Sequence, residues 1–348
     1  MKILIVSDAW LPQINGVVRT YENTSRELVA MGHQVLVIGP DKFRTIPCPG
    51  YTSIRLALWP GQGLTNLIEA FEPDTIHIAT EGPLGLAARS YCLKRELAFT
   101  SSFHTQFPEY VRMRLPVPVK WSYAWLRRFH STAWRTLVPT PSQKHHLLNF
   151  GFDKIEIWGR GVNTGIFKPG ADIFADLPRP VFLNAGRVAA EKNIKAFLDL
   201  DLPGSKVVVG DGPDLEKLKQ GYPQVLFTGY KFGDELAAHI ASADVFVFPS
   251  LTDTFGIVLL EAMACGVPVA AYPVTGPVDV VLNGLTGILD TDLHKAALAA
   301  LDLDSDDCVA YAQAHTWQAC TRIFLQHLVP IKRKAQAVSA VTLNGLIR

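Results

Sequence analysis

Short runs of apolar, mostly β-branched residues recur along the chain, each followed by a longer stretch with apolar positions three and four apart. The first pattern suits a strand buried on both faces and the second an amphipathic helix, so their alternation predicts parallel α/β architecture. In the first half the expected strands are Lys2–Val6, Gln34–Ile38, Ile54–Leu58, Thr75–Ala79, Phe99–Phe103, Thr136–Val138 and Ile155–Trp158. Helices such as Arg19–Met31 and Pro83–Arg95 lie between them. Gly159 to Pro180 breaks the rhythm with four glycines and three prolines and reads as a linker. The pattern restarts at Val181–Asn184 and continues through Lys206–Val209, Val225–Thr228, Val245–Phe248, Val267–Ala271 and Thr286–Leu289. After that only helices are expected, through Leu328. The chain thus divides into a domain over 1–160, a linker over 161–180, a second domain over 181–330 and a polar tail over 331–348. Two doubly wound domains in tandem place a cleft between the carboxyl ends of their strands.

The 348 residues suit two such domains, and 48% apolar with 19% charged residues excludes a disordered or coiled-coil chain. Five cysteines, none spaced C-x-x-C, argue against a disulfide framework or a zinc ribbon and for thiols in a reducing cytosol. The amino-terminal apolar run ends at Ser7-Asp8, too short for a secretory core of about 7–15 residues. The longest apolar stretch, Gly256 to Val274, contains Glu261 and several glycines and prolines, so no membrane span is expected. A net charge of +1 hides an asymmetry. Residues 1–160 hold 18 cations against 12 acids, residues 161–348 hold 15 against 20, and such halves have different partners.

Neither first strand–helix turn contains G-x-G-x-x-G, which disfavours an NAD-dependent oxidoreductase, and no G-x-x-x-x-G-K-[ST] occurs. In the first turn Gly16 lies beside a helix start, either to let a phosphate approach or simply to make the turn. Past the strand Val181–Asn184, Arg187 and Lys192 sit beside the cleft. They fit a diphosphate, which Arg grips with a planar fork and Lys as a point charge, or an ordinary charged helix start. Pro249 to Ala262 gives the strongest signal. A buried strand runs into the polar loop containing Asp253 and Thr254, and an apolar helix begins near Phe255, Gly256 and Ile257. Glu261 lies inside that helix and must have a partner, because an unpaired buried carboxylate costs several kcal/mol in order of magnitude. Ligand hydroxyls or a protein Arg or Lys would serve. The helix start adds N–H groups and partial positive charge aimed at the cleft.

The ordered set Gly16, His104, Arg187 with Lys192, Gly210-Asp211-Gly212-Pro213 and Asp253-x7-Glu261 resembles the retaining glycosyltransferases of family 4, which have the GT-B fold. The resemblance covers nearly the whole chain. The family pattern is E-x7-E; here the first acid is Asp253, one methylene shorter. The resemblance implies that Glu261 binds ribose hydroxyls and that Arg187 and Lys192 bind the diphosphate of a nucleotide sugar. It implies that Gly16 and Gly212 let backbone approach the donor, with Thr254, Phe255, Gly256 and Ile257 at the helix start beside it. Tyr230 and Lys231 would offer backbone to the base, while His104 and Asp253 would stand at the reacting centre. Four D-x-D matches (Asp199, Asp290, Asp302 and Asp304 with the acids two residues on) read as caps and solvated faces, and adjacent His145 and His146 point about 100° apart on a helix. No metal or other cofactor is expected.

The segment Glu109 to Phe129 speaks to the acceptor. Tyr110 to Arg135 carries six cations and no acid. From Pro118 onward, Trp121, Trp125 and Phe129 fall on one helical arc and Lys120, Arg127 and Arg128 on another. With Arg112 and Arg114 this resembles an interfacial helix on an anionic membrane; the alternative is an aromatic face buried in the first domain. A nucleic-acid partner is not expected, because the half is only weakly basic and lacks a recognition motif. Thr80-Glu81-Gly82-Pro83-Leu84-Gly85, His104-Thr105 and the segment after them are similar to the sulfoquinovosyl- and glucuronosyl-diacylglycerol synthase type. That implies transfer from a UDP-glucose or UDP-glucuronate type donor to a lipid acceptor by a protein peripheral on the cytoplasmic face of the inner membrane. A GDP-mannose-dependent α-mannosyltransferase with a soluble or other lipid acceptor is the alternative. A monomer or weak oligomer is expected.

Overall fold

The computed structural model describes residues 1–13, 15–48, 51–104 and 118–331, apart from the side chains of 51–53. Fourteen strands are found among them, numbered in chain order. The first domain holds β1 (Lys2–Val6), β2 (Gln34–Ile38), β3 (Thr45–Cys48), β4 (Tyr51–Ala57), β5 (Thr75–Ile78), β6 (Thr100–Ser102), β7 (Arg135–Val138) and β8 (Ile155–Ile157). Six of these form a parallel sheet in the order β2-β1-β5-β6-β7-β8. The second domain repeats the plan with β9 (Val181–Ala185), β10 (Ser205–Val209), β11 (Leu226–Gly229), β12 (Val245–Phe248), β13 (Val269–Ala271) and β14 (Gly287–Leu289). Their order is β11-β10-β9-β12-β13-β14, again parallel. This is the GT-B fold expected from the sequence: two Rossmann-like sheets whose strands end at a shared cleft. β1 and β12 are buried on both faces, which is why they read as unbroken apolar runs.

One expected strand lies elsewhere. Ile54–Leu58 belongs to β4, which pairs antiparallel with β3 in a separate two-stranded ribbon. Pro47 within β3 has no N–H to donate, which confines that segment to such an edge. The linker is packed rather than loose: Phe167 and Phe174 are buried in the second core. The carboxy-terminal helix Trp317–His327 also departs from the expected division, because its contacts are with the first domain. Trp317, Cys320 and Phe324 cluster with Ile3, Ile5, Tyr21 and Trp158. The chain therefore crosses between domains twice, at a point where Val162 bridges Thr316. A side chain on Gly161 would meet the Trp317 backbone at 2.4 Å, so only glycine fits the crossing.

Candidate functional site: the interdomain cleft

In the second domain the cleft wall is built by three loops that follow β9, β10 and β12. Asn15 opposite them caps the helix Gly16–Ala30, accepting from the N–H groups of Val17 and Val18 at 3.0 Å. Gly16 begins that helix, and a Cβ there would meet nothing within 4 Å; the fold itself does not demand glycine at 16. After β9, Arg187 is half-exposed, with Glu191 3.8 Å away. Lys192 donates to both carboxylate oxygens of Asp253, at 2.6 and 2.8 Å. The Gly210–Gly212 loop lies against the β9 loop: a Cβ on Gly210 would sit 1.8 Å from the Gly186 oxygen, and one on Gly212 2.2 Å from the Val188 oxygen. Gly212 is thus required by loop packing. Gly256 turns the chain at φ 80° into the helix Ile257–Ala264, a conformation suited to glycine. Phe255 packs on the second core, while Ile257 reaches the cluster of the first domain. Tyr230 is exposed beyond β11, where its ring stacks with Phe232 at 6.1 Å, and Lys231 lies 3.8 Å from Glu235.

Glu261 is 6% exposed. Oε1 faces Arg19 Nη1 of the opposite domain at 3.4 Å, and the buried Oε2 has no partner among the described residues. Burial raises its carboxyl group above the ordinary range, partly countered by Arg19. The expected partner is therefore half supplied: one weak ion pair for two buried oxygens. Ser250 Oγ on the same loop system is also buried without a partner.

The first-domain wall is different in kind. His104, at the end of β6, sits inside a chain of hydrogen bonds. Arg160 Nη2 donates to His104 Nδ1 at 2.8 Å, Tyr21 Oη lies 2.7 Å from His104 Nε2 and 2.8 Å from His77 Nε2, and His77 Nδ1 meets Thr100 Oγ1 at 2.8 Å. A guanidinium only donates, so the neutral His104 ring carries its proton on Nε2 and gives it to Tyr21; Tyr21 in turn donates to His77. Burial and the Arg160 charge push His104 well below the usual imidazole range, and burial takes His77 to about 3. Both His104 nitrogens are engaged, so the ring cannot move a proton without breaking this chain. Its backbone oxygen, however, accepts from Thr254 Oγ1 at 2.9 Å across the cleft. Arg160 is itself buried; its other nitrogen donates to the Trp158 and Gly159 carbonyls at 2.7 and 2.8 Å, and the guanidinium lies 4.7 Å from the Trp158 ring centroid.

Sequence reading missed Arg19, Tyr21, His77 and Arg160. A signal existed for His77 alone, a histidine inside the apolar run of β5. Of the D-x-D acids, Asp292 and Asp304 cap the helices Leu293–Ala299 and Ser305–Ala314, and Asp199 pairs with Lys195 and Tyr222. Among the described residues no three His, Cys, Asp or Glu side chains converge as metal ligands would.

The helix Val119–His130 corrects the expected aromatic arc. Phe129 is 3% exposed and, like Tyr123 and Leu126, is buried against the domain, whereas Trp121 and Trp125 are 72% and 47% exposed. Lys120, Trp121, Ala124, Trp125 and Arg128 share one outer stripe, so cations and aromatics lie together rather than on two arcs. Arg127 is exposed but donates to the Phe150 carbonyl at 3.2 Å. Arg112 and Arg114 lie outside the described residues. No helix among the described residues is long and apolar enough to cross a membrane.

Comparison with known proteins agrees with this fold. Residues 14–165 match Glycosyltransferase Family 4 and residues 179–305 match Glycosyl transferases group 1. A GDP-mannose-dependent α-mannosyltransferase of Mycolicibacterium smegmatis is 34% identical over 86% of this chain and 87% of its own. Sulfoquinovosyl transferase SQD2 of Arabidopsis thaliana is 32% identical over 82% of this chain and 62% of its own length. The α-monoglucosyldiacylglycerol synthase of Acholeplasma laidlawii is 26% identical, covering 77% and 79%. Among solved structures, sucrose-phosphate synthase from Thermosynechococcus elongatus superposes with a TM-score of 0.72 at 22% identity over 93% and 97% of the two chains. HepE from Anabaena, in complex with UDP and glucose, gives 0.68 at 15% over 94% and 98%.

Proposed function

The chain belongs to glycosyltransferase family 4 and transfers a sugar from a nucleotide sugar; from this we propose a retaining, metal-independent hexosyltransferase that glycosylates a lipid acceptor such as diacylglycerol. It works as a peripheral protein on the cytoplasmic face of the inner membrane, as a monomer or weak oligomer, with a UDP-glucose or UDP-glucuronate type donor. Glu261 carries the donor assignment. Its partnerless buried oxygen fits ribose hydroxyls, which would satisfy it without adding charge. Arg187 and Lys192 hold the diphosphate, with Lys192 leaving Asp253 in part to do so. The start of the helix Ile257–Ala264, from Thr254 through Ile257, adds N–H groups to the same charge. These groups neutralise the departing diphosphate without a metal ion. Gly16 and Gly212 let backbone come close, and Tyr230 with Lys231 lines the base.

Retention, the outcome the family resemblance implies, would come from attack and departure on one face of the sugar. Asp253 and the His104 backbone position the reacting carbon, and the leaving phosphate takes the acceptor proton as the new bond forms. No enzymic nucleophile is used. The outer stripe of Lys120, Trp121, Trp125 and Arg128, with Arg112 and Arg114, docks the first domain on an anionic leaflet. A GDP-mannose donor, with a soluble or other lipid acceptor, is the second reading, favoured by the similarity to the mycobacterial α-mannosyltransferase. Thermal shift with UDP, GDP and NAD tests the donor class: the matching nucleotide stabilises by about 2.7 kcal/mol at a hundredfold excess over Kd. Stabilisation by NAD alone contradicts the assignment, and proton NMR of the product showing inversion contradicts the mechanism.

A further inference from the structure

The loop Thr80-Glu81-Gly82-Pro83-Leu84-Gly85 is built with unusual care for a segment that no donor-binding role uses. Asp8, at the end of β1, is buried and holds both ends of it. Its Oδ1 accepts from Leu84 N at 2.9 Å, and its Oδ2 accepts from Gly85 N at 3.2 Å and from Thr80 Oγ1 at 2.8 Å. A Cβ on Gly82 would lie 2.5 Å from the Asp8 carboxylate carbon, and one on Gly85 1.8 Å from the Thr80 oxygen. Both glycines are therefore demanded by close approach.

This frame presents Glu81. Ile78 of β5 pairs with Ser101 of β6, so Glu81 and His104 each lie three residues beyond the same register position, at the mouth of the first sheet. Glu81 Oε1 lies 3.0 Å from His130 Nε2, and the buried His130 is steadied by Ser101 Oγ at 2.9 Å from its Nδ1. The Glu81 side chain is 22% exposed, and among the described residues neither Arg nor Lys pairs with it. One carboxylate oxygen is fixed by a buried donor, and the side chain stays partly exposed at the end of the sheet.

We propose that Glu81, oriented by His130, is the acceptor-binding residue, its second oxygen accepting a hydrogen bond from an uncharged hydroxyl of the acceptor beside His104. It holds the hydroxyl and takes no proton. With Asp8 beneath it, the site suits a neutral glyceride or sugar hydroxyl and repels a phosphate. His130 is a positioning residue. This inference rests on the transferase reading above.

The test uses Glu81→Ala, the isosteric Glu81→Gln and His130→Asn with dioctanoylglycerol as acceptor. Expected are an acceptor KM raised about tenfold or more in Glu81→Ala and less in Glu81→Gln, whose amide oxygen still accepts. His130→Asn raises the same KM, while UDP or GDP affinity stays that of the wild type in all three. An unchanged acceptor KM in folded Glu81→Gln and Glu81→Ala overturns the proposal, and so does a matching loss of nucleotide affinity. Absence of wild-type transfer from every donor refutes the lipid-acceptor reading instead. Saturation-transfer NMR of dioctanoylglycerol, read without turnover, then still decides Glu81, because equal or absent binding in wild type and Glu81→Ala overturns it.

Discussion

The two walls of the cleft solve opposite problems. Around His104 in the first domain the titratable groups are paired with one another: the buried cation Arg160 donates to His104, and Tyr21, His77 and Thr100 continue the chain through neutral bonds. In the second domain charge dominates and, among the described residues, pairing is incomplete, with Arg187 half-exposed, Lys192 held by Asp253 and a buried Glu261 oxygen without a partner. A satisfied network fixes geometry, because moving any member strands another. An unsatisfied one binds, because a ligand supplies what the fold leaves out. In the proposed mechanism the first wall sets where the reaction occurs, and the second supplies the affinity and the electrostatics that drive it.

Breaking the second wall should have the largest effect. Arg187→Ala removes a charge-assisted donor to the departing diphosphate, and about 3–4 kcal/mol, or 10²–10³ in kcat, is expected by analogy with oxyanion donors. Glu261→Gln should act in the same direction with the thermal midpoint preserved. Near-normal kcat in folded Arg187→Ala contradicts the assignment.

The first wall should instead respond to pH through stability. Unfolded imidazoles titrate near 6.5, whereas buried His77 stays neutral to about 3 and His104 is likewise held down. Below pH 6.5 the unfolded chain binds more protons than the folded one, so stability falls as pH is lowered. From pH 8 to 5.5 the loss through His77 is about 1 kcal/mol, and His104 acts in the same direction. Asp8 and Glu261, whose carboxyl groups burial raises, act with the opposite sign at the acid end. Urea unfolding of wild type and His77→Asn isolates one histidine: their difference should shrink by about 1 kcal/mol over that range, and a constant difference contradicts the neutral chain.

The outer stripe should respond in membrane binding alone. Because Arg127 is tied to Phe150, exchange of Lys120 and Arg128 for Ser should remove about 2 kcal/mol of attraction, roughly 30-fold in binding to anionic vesicles. Nucleotide affinity should not change. Salt should weaken wild-type binding, as screening over about 8–10 Å requires; co-sedimentation indifferent to salt and lipid charge makes the stripe an ordinary surface.

What the sequence disclosed follows the same division. Inner strands of a parallel sheet are buried on both faces, so β1 and β12 announced themselves as apolar runs, and the loop chemistry after β9 and β12 stood out against them. Helical periodicity placed Trp121, Trp125 and Phe129 near one another but could not say which of them faced the domain, since Tyr123 and Leu126 compete for that role. Arg19 was invisible because its partner Glu261 is 242 residues away. The helix Trp317–His327 follows the second domain in the chain and packs on the first, an arrangement that chain order hides.

Transfer of labelled sugar into vesicles tests the central claim most directly. GDP-mannose, UDP-glucose and UDP-glucuronate would each be incubated with the protein and diacylglycerol in anionic or neutral bilayers, and the lipid fraction counted. The account predicts label in the lipid from one nucleotide sugar, far more with anionic than with neutral vesicles. Label found only in water-soluble product, at a rate independent of the bilayer, contradicts it.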